Sequence, residues 1–92
     1  MYKDVIVVNR DYYNISAEQY NDVIALHSKV SKWNKSIRQA YLKDFYTLVQ
    51  LINNNVYTYI NPNDKKLRKF VEMLGFRFLR SMNGSDYFIR GK

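Results

Sequence analysis

Residues 56–78 read VYTYINPNDKKLRKFVEMLGFRF, and the order of signals along this stretch decides the fold. Val56-Tyr57-Thr58-Tyr59-Ile60 alternates and is rich in β-branched and aromatic residues, which predicts a strand. Asn61-Pro62-Asn63-Asp64 joins a proline pre-set for a first helical turn to Asn and Asp side chains that cap helices. Leu67, Phe70, Val71 and Leu74 then share one face of a helix over about 63–74, with Lys65, Lys66, Arg68 and Lys69 on its solvated face and Gly75 as its stop. Phe76 and Phe78 alternate with Arg77 and Leu79, Asn83-Gly84 makes a turn, and Asp86 to Arg90 alternates again, which predicts a closing β-hairpin.

Upstream, Trp33, Ile37, Tyr41, Phe45, Leu48 and Ile52 recur every three or four residues, with Ala40 and Leu51 widening the stripe. That spacing predicts a long amphipathic helix over about 34–53, closed by Asn53-Asn54-Asn55 because Asn tolerates the left-handed conformation that ends helices. Ser16-Ala17-Glu18-Gln19 reads as a capping box, and Ala17, Tyr20, Val23, Ile24 and His27 follow at helical spacing, so a helix over about 17–29 is expected; Val23-Ile24-Ala25-Leu26 has a strand as its alternative. Asp4-Val5-Ile6-Val7-Val8 suits a strand buried on both faces or a terminal strand added to a sheet. The expected order is β-α-α-β-α-β-β, an α/β (α+β) domain with a mixed sheet.

The 92 residues form a single domain, 1–92, and 47% apolar content with only four Gly and Pro residues lacks the composition of disorder. No apolar run approaches the ~20 residues that span a bilayer and no secretory leader is evident, so a cytoplasmic protein without a membrane partner is expected. The absence of cysteine removes disulfides and thiolate nucleophiles. His27 is the only histidine, which excludes His-based metal clusters and makes it a partly buried, satisfied side chain before a general base. The net charge of +7 is uneven. Residues 1–28 hold two basic against four acidic residues, whereas residues 29–92 hold 13 against 4. A field of that sign favours an anionic partner without choosing its class.

Two basic clusters are candidate sites. Lys29, Lys32, Lys35 and Arg38 recur every third residue at the start of the long helix, where each exposed cation opposes the macrodipole by up to ~1 kcal/mol. With Ser36 they would surround the helix-start amides and hold a pyrophosphate or another anion, the alternative being solvated lysines of a basic protein. Lys65, Lys66, Arg68 and Lys69, with Arg77 and Arg80, form a second cluster that fits an acidic protein or a phosphate backbone, the alternative being a solubilising face. The aromatic residues beside them fit core positions, so base stacking is not indicated. Trp33 begins the apolar stripe as a core anchor.

From Asn63 through Leu74-Gly75-Phe76 to Phe78, the chain resembles the closing part of the GCN5-related N-acetyltransferase (GNAT) family, in which a strand ends near an Asn, a helix follows and a Leu-Gly-Phe turn leads into the last two strands. The resemblance spans roughly residues 26–90 and extends to small phage-encoded members of the podophage internal-virion-protein-like group. It implies that residues 34–53 are the helix carrying the acetyl-CoA pyrophosphate site, with Lys32, Lys35, Ser36 and Arg38 as the cofactor-binding residues. Family enzymes place a glycine-rich loop before this helix, and residues 31–38 have no glycine. Where the resemblance puts the general-acid tyrosine, after Phe70, this chain has Val71, whose carbon side chain cannot protonate a thiolate. The leading expectation is therefore a GNAT-like domain without the catalytic motif or a resident cofactor, binding an acidic protein of host or virion. The other readings are a minimal acetyl-CoA-dependent N-acetyltransferase and a nucleic-acid binder.

Overall fold

The computed structural model describes residues 2–91. In chain order the elements are β1 (Tyr2–Asn9), β2 (Tyr13–Tyr20), β3 (Val23–Val30), α1 (Lys35–Ile52), β4 (Val56–Ile60), α2 (Lys65–Met73), β5 (Arg77–Met82) and β6 (Ser85–Arg90). The six strands form one mixed sheet in the order β1-β2-β3-β4-β6-β5, so the class is α+β, as the sequence suggests. Every neighbouring pair is antiparallel except β3 and β4, which run parallel and meet through the one register pair Ala25 and Tyr57. β3 runs on to Val30 and β4 to Ile60, so beyond that pair the two central strands part toward their C-terminal ends.

The helix expected over 17–29 is instead the β2–β3 hairpin. Asn21 takes a positive φ of 55° at its turn, a conformation Asn adopts at small cost. Tyr13, Ile15 and Ala17 point to the helices and pair with Val30, Ser28 and Leu26, whereas Ser16, Glu18, Ala25 and His27 alternate onto the other face. Tyr20 and Val23, which completed the apparent helical stripe, are exposed. The strand alternative for Val23-Ile24-Ala25-Leu26 is the conformation found. β1 is the terminal strand of the sheet, with Val5, Ile6 and Val7 exposed and a register shift between Ile6 and Val8.

Both helices begin and end on the expected signals. Asn34 caps α1 by accepting from the Ile37 N–H at 2.9 Å, and Asn53, at φ 51°, closes it by donating its N–H to the Val49 carbonyl at 3.1 Å. Asp64 caps α2 by accepting from the Leu67 N–H at 3.0 Å. Gly75 follows with φ 94°, and a Cβ there would lie 3.2 Å from Arg90 Nε, whose own hydrogen bond goes to the Leu74 carbonyl at 3.0 Å. A side chain is therefore disfavoured twice, by backbone conformation and by the neighbouring arginine.

Both helices pack on the same face of the sheet. Their stripes meet where the Tyr41 ring lies 5.3 Å from that of Phe70, and Tyr41, Phe45, Ile15, Val56 and Phe88 are the most deeply buried large side chains of the core. Burial of each such side chain is worth about 1.5–3 kcal/mol, and this layer is the main support of the fold. The opposite face of the sheet is covered by no element among the described residues.

Candidate basic interface

The two basic clusters read from the sequence come together in space, but not with all their members. The loop before α1 is pinned to the β1–β2 turn by the Ser31 N–H and hydroxyl, which donate to the Tyr12 carbonyl at 2.8 and 3.2 Å. Lys32 Nζ sits 5.2 Å over the Tyr12 ring. Trp33 then turns toward α2, edge-on to Tyr41 at 5.9 Å and to Phe70 at 5.4 Å, and remains 43% exposed. One turn into α1, Arg38 Nη2 donates to Met73 Sδ of α2 at 3.3 Å. On α2 the residues Lys66, Lys69, Phe70 and Met73 share one stripe by helical spacing, so Phe70 and Met73 carry Lys66 and Lys69 to the same border. Lys35 and Arg38 of α1 and Lys66 and Lys69 of α2 thus border, by helical spacing, the half-exposed Trp33 and Met73, while Lys32 of the preceding loop lies over Tyr12. Lys65 extends this surface at the start of α2. α1, capped by the neutral Asn34 and with no acidic residue in its first turn, adds the positive end of its macrodipole to the field, whereas the Asp64 carboxylate at the cap of α2 offsets that of the second helix.

The remaining predicted residues lie elsewhere. Ser36 faces a groove on the other side of α1, lined also by Tyr13, Lys43 and Asp44, and is not part of the basic surface. Arg68 turns toward the β5–β6 hairpin. Its guanidinium lies 5.5 Å from the Phe78 ring and 5.3 Å from the Phe88 ring, with Asp86 at 3.7 Å and Glu72 at 3.8 Å. Its contacts are within the domain, and Asp86 is held in turn by the Ser81 hydroxyl at 2.6 Å. Arg77 and Arg80 pair with Ile89 and Tyr87 and so project from the bare face of the sheet, away from the lysines of α2.

Acetyl-CoA, the cofactor the resemblance implies, can be tested against the residues present. The cavity where β3 and β4 part, bounded by Leu26, Ser28, Tyr41, Thr58 and Phe70, holds about 100 Å³. Small-molecule and cofactor sites are commonly ~300–1,000 Å³. The Tyr41 and Ser28 hydroxyls, 2.6 Å apart, bridge α1 to β3 at its wall, and burial pushes the Tyr41 phenol pKa up. At the start of α1 the Asn34 side chain already occupies the Ile37 amide, and Val71 is a buried core residue. These residues do not fit the cofactor. Among the described residues no group of three His, Cys, Asp or Glu side chains could hold a metal, and no helix is long and apolar enough to cross a membrane.

Two polar networks escape sequence reasoning. Arg10 Nε and Nη2 each donate to Asp44 at 2.9 Å, and the Tyr13 hydroxyl donates to the same carboxylate at 2.5 Å, tying the β1–β2 turn to the middle of α1. The hydrogen bonds from Arg10, assisted by that of Tyr13, hold the Asp44 carboxyl below its ordinary range. Burial, reinforced by the carboxylate, pushes Tyr13 up to about 12. On the bare face, His27 Nε2 lies 3.0 Å from Glu18 Oε2, which also accepts from the Tyr59 hydroxyl at 3.3 Å. His27 is thus partly buried and satisfied as expected, but on a strand. Asp44 is the single acid of α1 and Arg10 sits in the turn after β1, and that pairing has no local signature. Compared with known proteins, the chain matches no family model, no curated protein and no solved structure.

Proposed function

We propose that this chain is a GNAT-like domain of phage type that works as a binding module, docking an acidic host or virion protein in the host cytoplasm through the basic surface around Trp33. The order β4, α2, β5, β6, with Leu74-Gly75-Phe76 at the turn, supports the resemblance. The reading rests on one observation above all: a half-exposed Trp and Met at the junction of α1 and α2, where Trp33 meets Phe70 and Arg38 meets Met73, with Lys35, Lys66 and Lys69 beside them by helical spacing. An apolar centre with a charged rim is the anatomy of a protein interface, and Trp and Arg are the residues that most often carry its energy. A surface for single-stranded nucleic acid would instead offer rings free to stack, whereas the Trp33 ring meets Tyr41 and Phe70 edge-on; a duplex, which needs no stacking, is separated by the nuclease arm of the test.

The test is capture from infected-cell extract by the immobilised domain, alongside Lys66→Glu/Lys69→Glu. The wild type retains an acidic protein that resists nuclease treatment, and the variant loses it. Equal retention by both removes this surface from the account, and release by nuclease transfers it to a nucleic acid.

A further inference from the structure

The bare face of the sheet has a pattern that the basic surface does not explain. Asp4 and Ile6 of β1 lie at one edge of it and Arg77, Arg80 and Met82 of β5 at the other, with Lys29 near the end of β3 between them. Ile6 is 58% exposed, Tyr20 58%, Val23 44% and Met82 45%, an unusual density of apolar groups for a free sheet face. The lysines of both helices lie in the other layer. The face therefore combines exposed apolar groups with a nearly balanced charge, Asp4 and Glu18 on β1 and β2 against Lys29 on β3 and Arg77 and Arg80 at the β5 edge.

We infer that this face is the interface of a homodimer, two sheets packed face to face about a two-fold axis parallel to the strands. That axis is selected by what it superposes. It lays β1 over the partner copy's β5, bringing Asp4 and Ile6 against the second copy's arginines and methionine. It lays β2 and β3 over β6 and β4, so that by register the small Ser16 and Ala25 meet the second copy's Tyr87 and Tyr57. The two edges of the face are complementary in charge, and a two-fold interface requires that self-complementarity. An axis perpendicular to the strands would set β1 on β1 and Arg77 and Arg80 on their own copies. Face-to-face sheets with nearly aligned strands, ~10 Å apart, are an ordinary packing. At ~4.8 Å between strands the face is about 25 Å wide, and some six residues of strand make it about 20 Å tall. Two copies bury roughly 1,000 Å², at the lower bound for a specific interface.

The test is sedimentation equilibrium of the full chain at rising concentration, with circular dichroism to show that each variant is folded. The expected mass at high concentration is twice the 11.1 kDa of one chain. Arg77→Glu/Arg80→Glu weakens self-association by at least ~10-fold, because like charges then oppose Asp4. Asp4→Lys weakens it in the same direction. Mixing the two variants restores the dimer, since each mixed pair has one native edge and one reversed edge, a result no general loss of stability can mimic. A single-chain mass at all concentrations overturns the proposal, as does a dimer indifferent to the arginine reversals or a mixture that fails to recover.

Discussion

Tyr13→Phe removes one hydroxyl and leaves the ring, which packs edge-on to Tyr41 at 5.3 Å. What is lost is the 2.5 Å hydrogen bond to Asp44, made from a side chain only 6% exposed. A hydrogen bond to a charged group contributes ~1.5–3 kcal/mol, and the lower end applies here because the Asp44 carboxylate, 18% exposed, can recruit water in its place. With an unfolding entropy of ~2.1 cal/mol/K per residue over 92 residues, a loss of about 1.5 kcal/mol lowers Tm by about 8 °C. The assay is urea and thermal unfolding of the wild type, Tyr13→Phe, Asp44→Ala and the double variant. The cycle cancels the better helix propensity of Ala and isolates the pair, with an expected coupling of about 1 kcal/mol or more. The Arg10 pair, whose arginine is largely exposed, fades with salt, whereas the coupling to the buried ring persists at ~0.5 M salt. Additive single effects would refute the claim that this carboxylate fastens the β1–β2 turn to α1.

Gly75→Ala must hold φ near 94° and crowd Arg90, so it costs more than the ~1–2 kcal/mol of a left-handed backbone alone, while Gly84→Ala, at φ 79° with no atom within 4 Å of the added Cβ, costs only that; denaturation midpoints compare the two. Stability should also fall at both ends of the pH range. The depressed Asp44 carboxyl stabilises the fold above the ordinary carboxylate pKa of ~4, and this contribution is lost as pH falls through its folded value. Tyr13, raised to about 12, contributes fully below its ordinary pKa of 10, and that share is lost as pH rises from there through its folded value. Urea midpoints from acid to alkaline pH check both limbs, and Tyr13→Phe should lack the extra alkaline loss.

The parts of this fold that are legible in the sequence carry their signals locally. β4, α2 and the closing hairpin are marked by alternation, by the Asn61 to Asp64 cap and by Gly75, and α1 by six apolar residues at helical spacing. The β2–β3 hairpin is misread because Ser16 to Gln19 imitates a capping box and five residues fall by chance at helical intervals. The competing signal is Asn21-Asp22, a turn dipeptide between two alternating runs, and tertiary pairing decides in its favour. For the candidate site, the cations are visible as runs, but a run does not tell helical phase. Arg68 lies on the side of α2 that meets the hairpin, while Lys66 and Lys69 lie on the side that meets α1. Their approach to Lys35 and Arg38 depends on contacts such as Trp33 with Phe70 and Arg38 with Met73, between residues far apart in the chain, which no local pattern encodes.

The central claim is that the surface around Trp33 receives an acidic polypeptide rather than a cofactor. Its most direct test is to follow the fluorescence of Trp33, the sole tryptophan, during parallel titrations with polyglutamate and with acetyl-CoA, each repeated by calorimetry. A saturable response to polyglutamate that weakens with salt and is lost in Lys66→Glu/Lys69→Glu, with no binding of acetyl-CoA, is the predicted result. Saturable binding of acetyl-CoA displaced by free CoA, with polyglutamate silent, would contradict it.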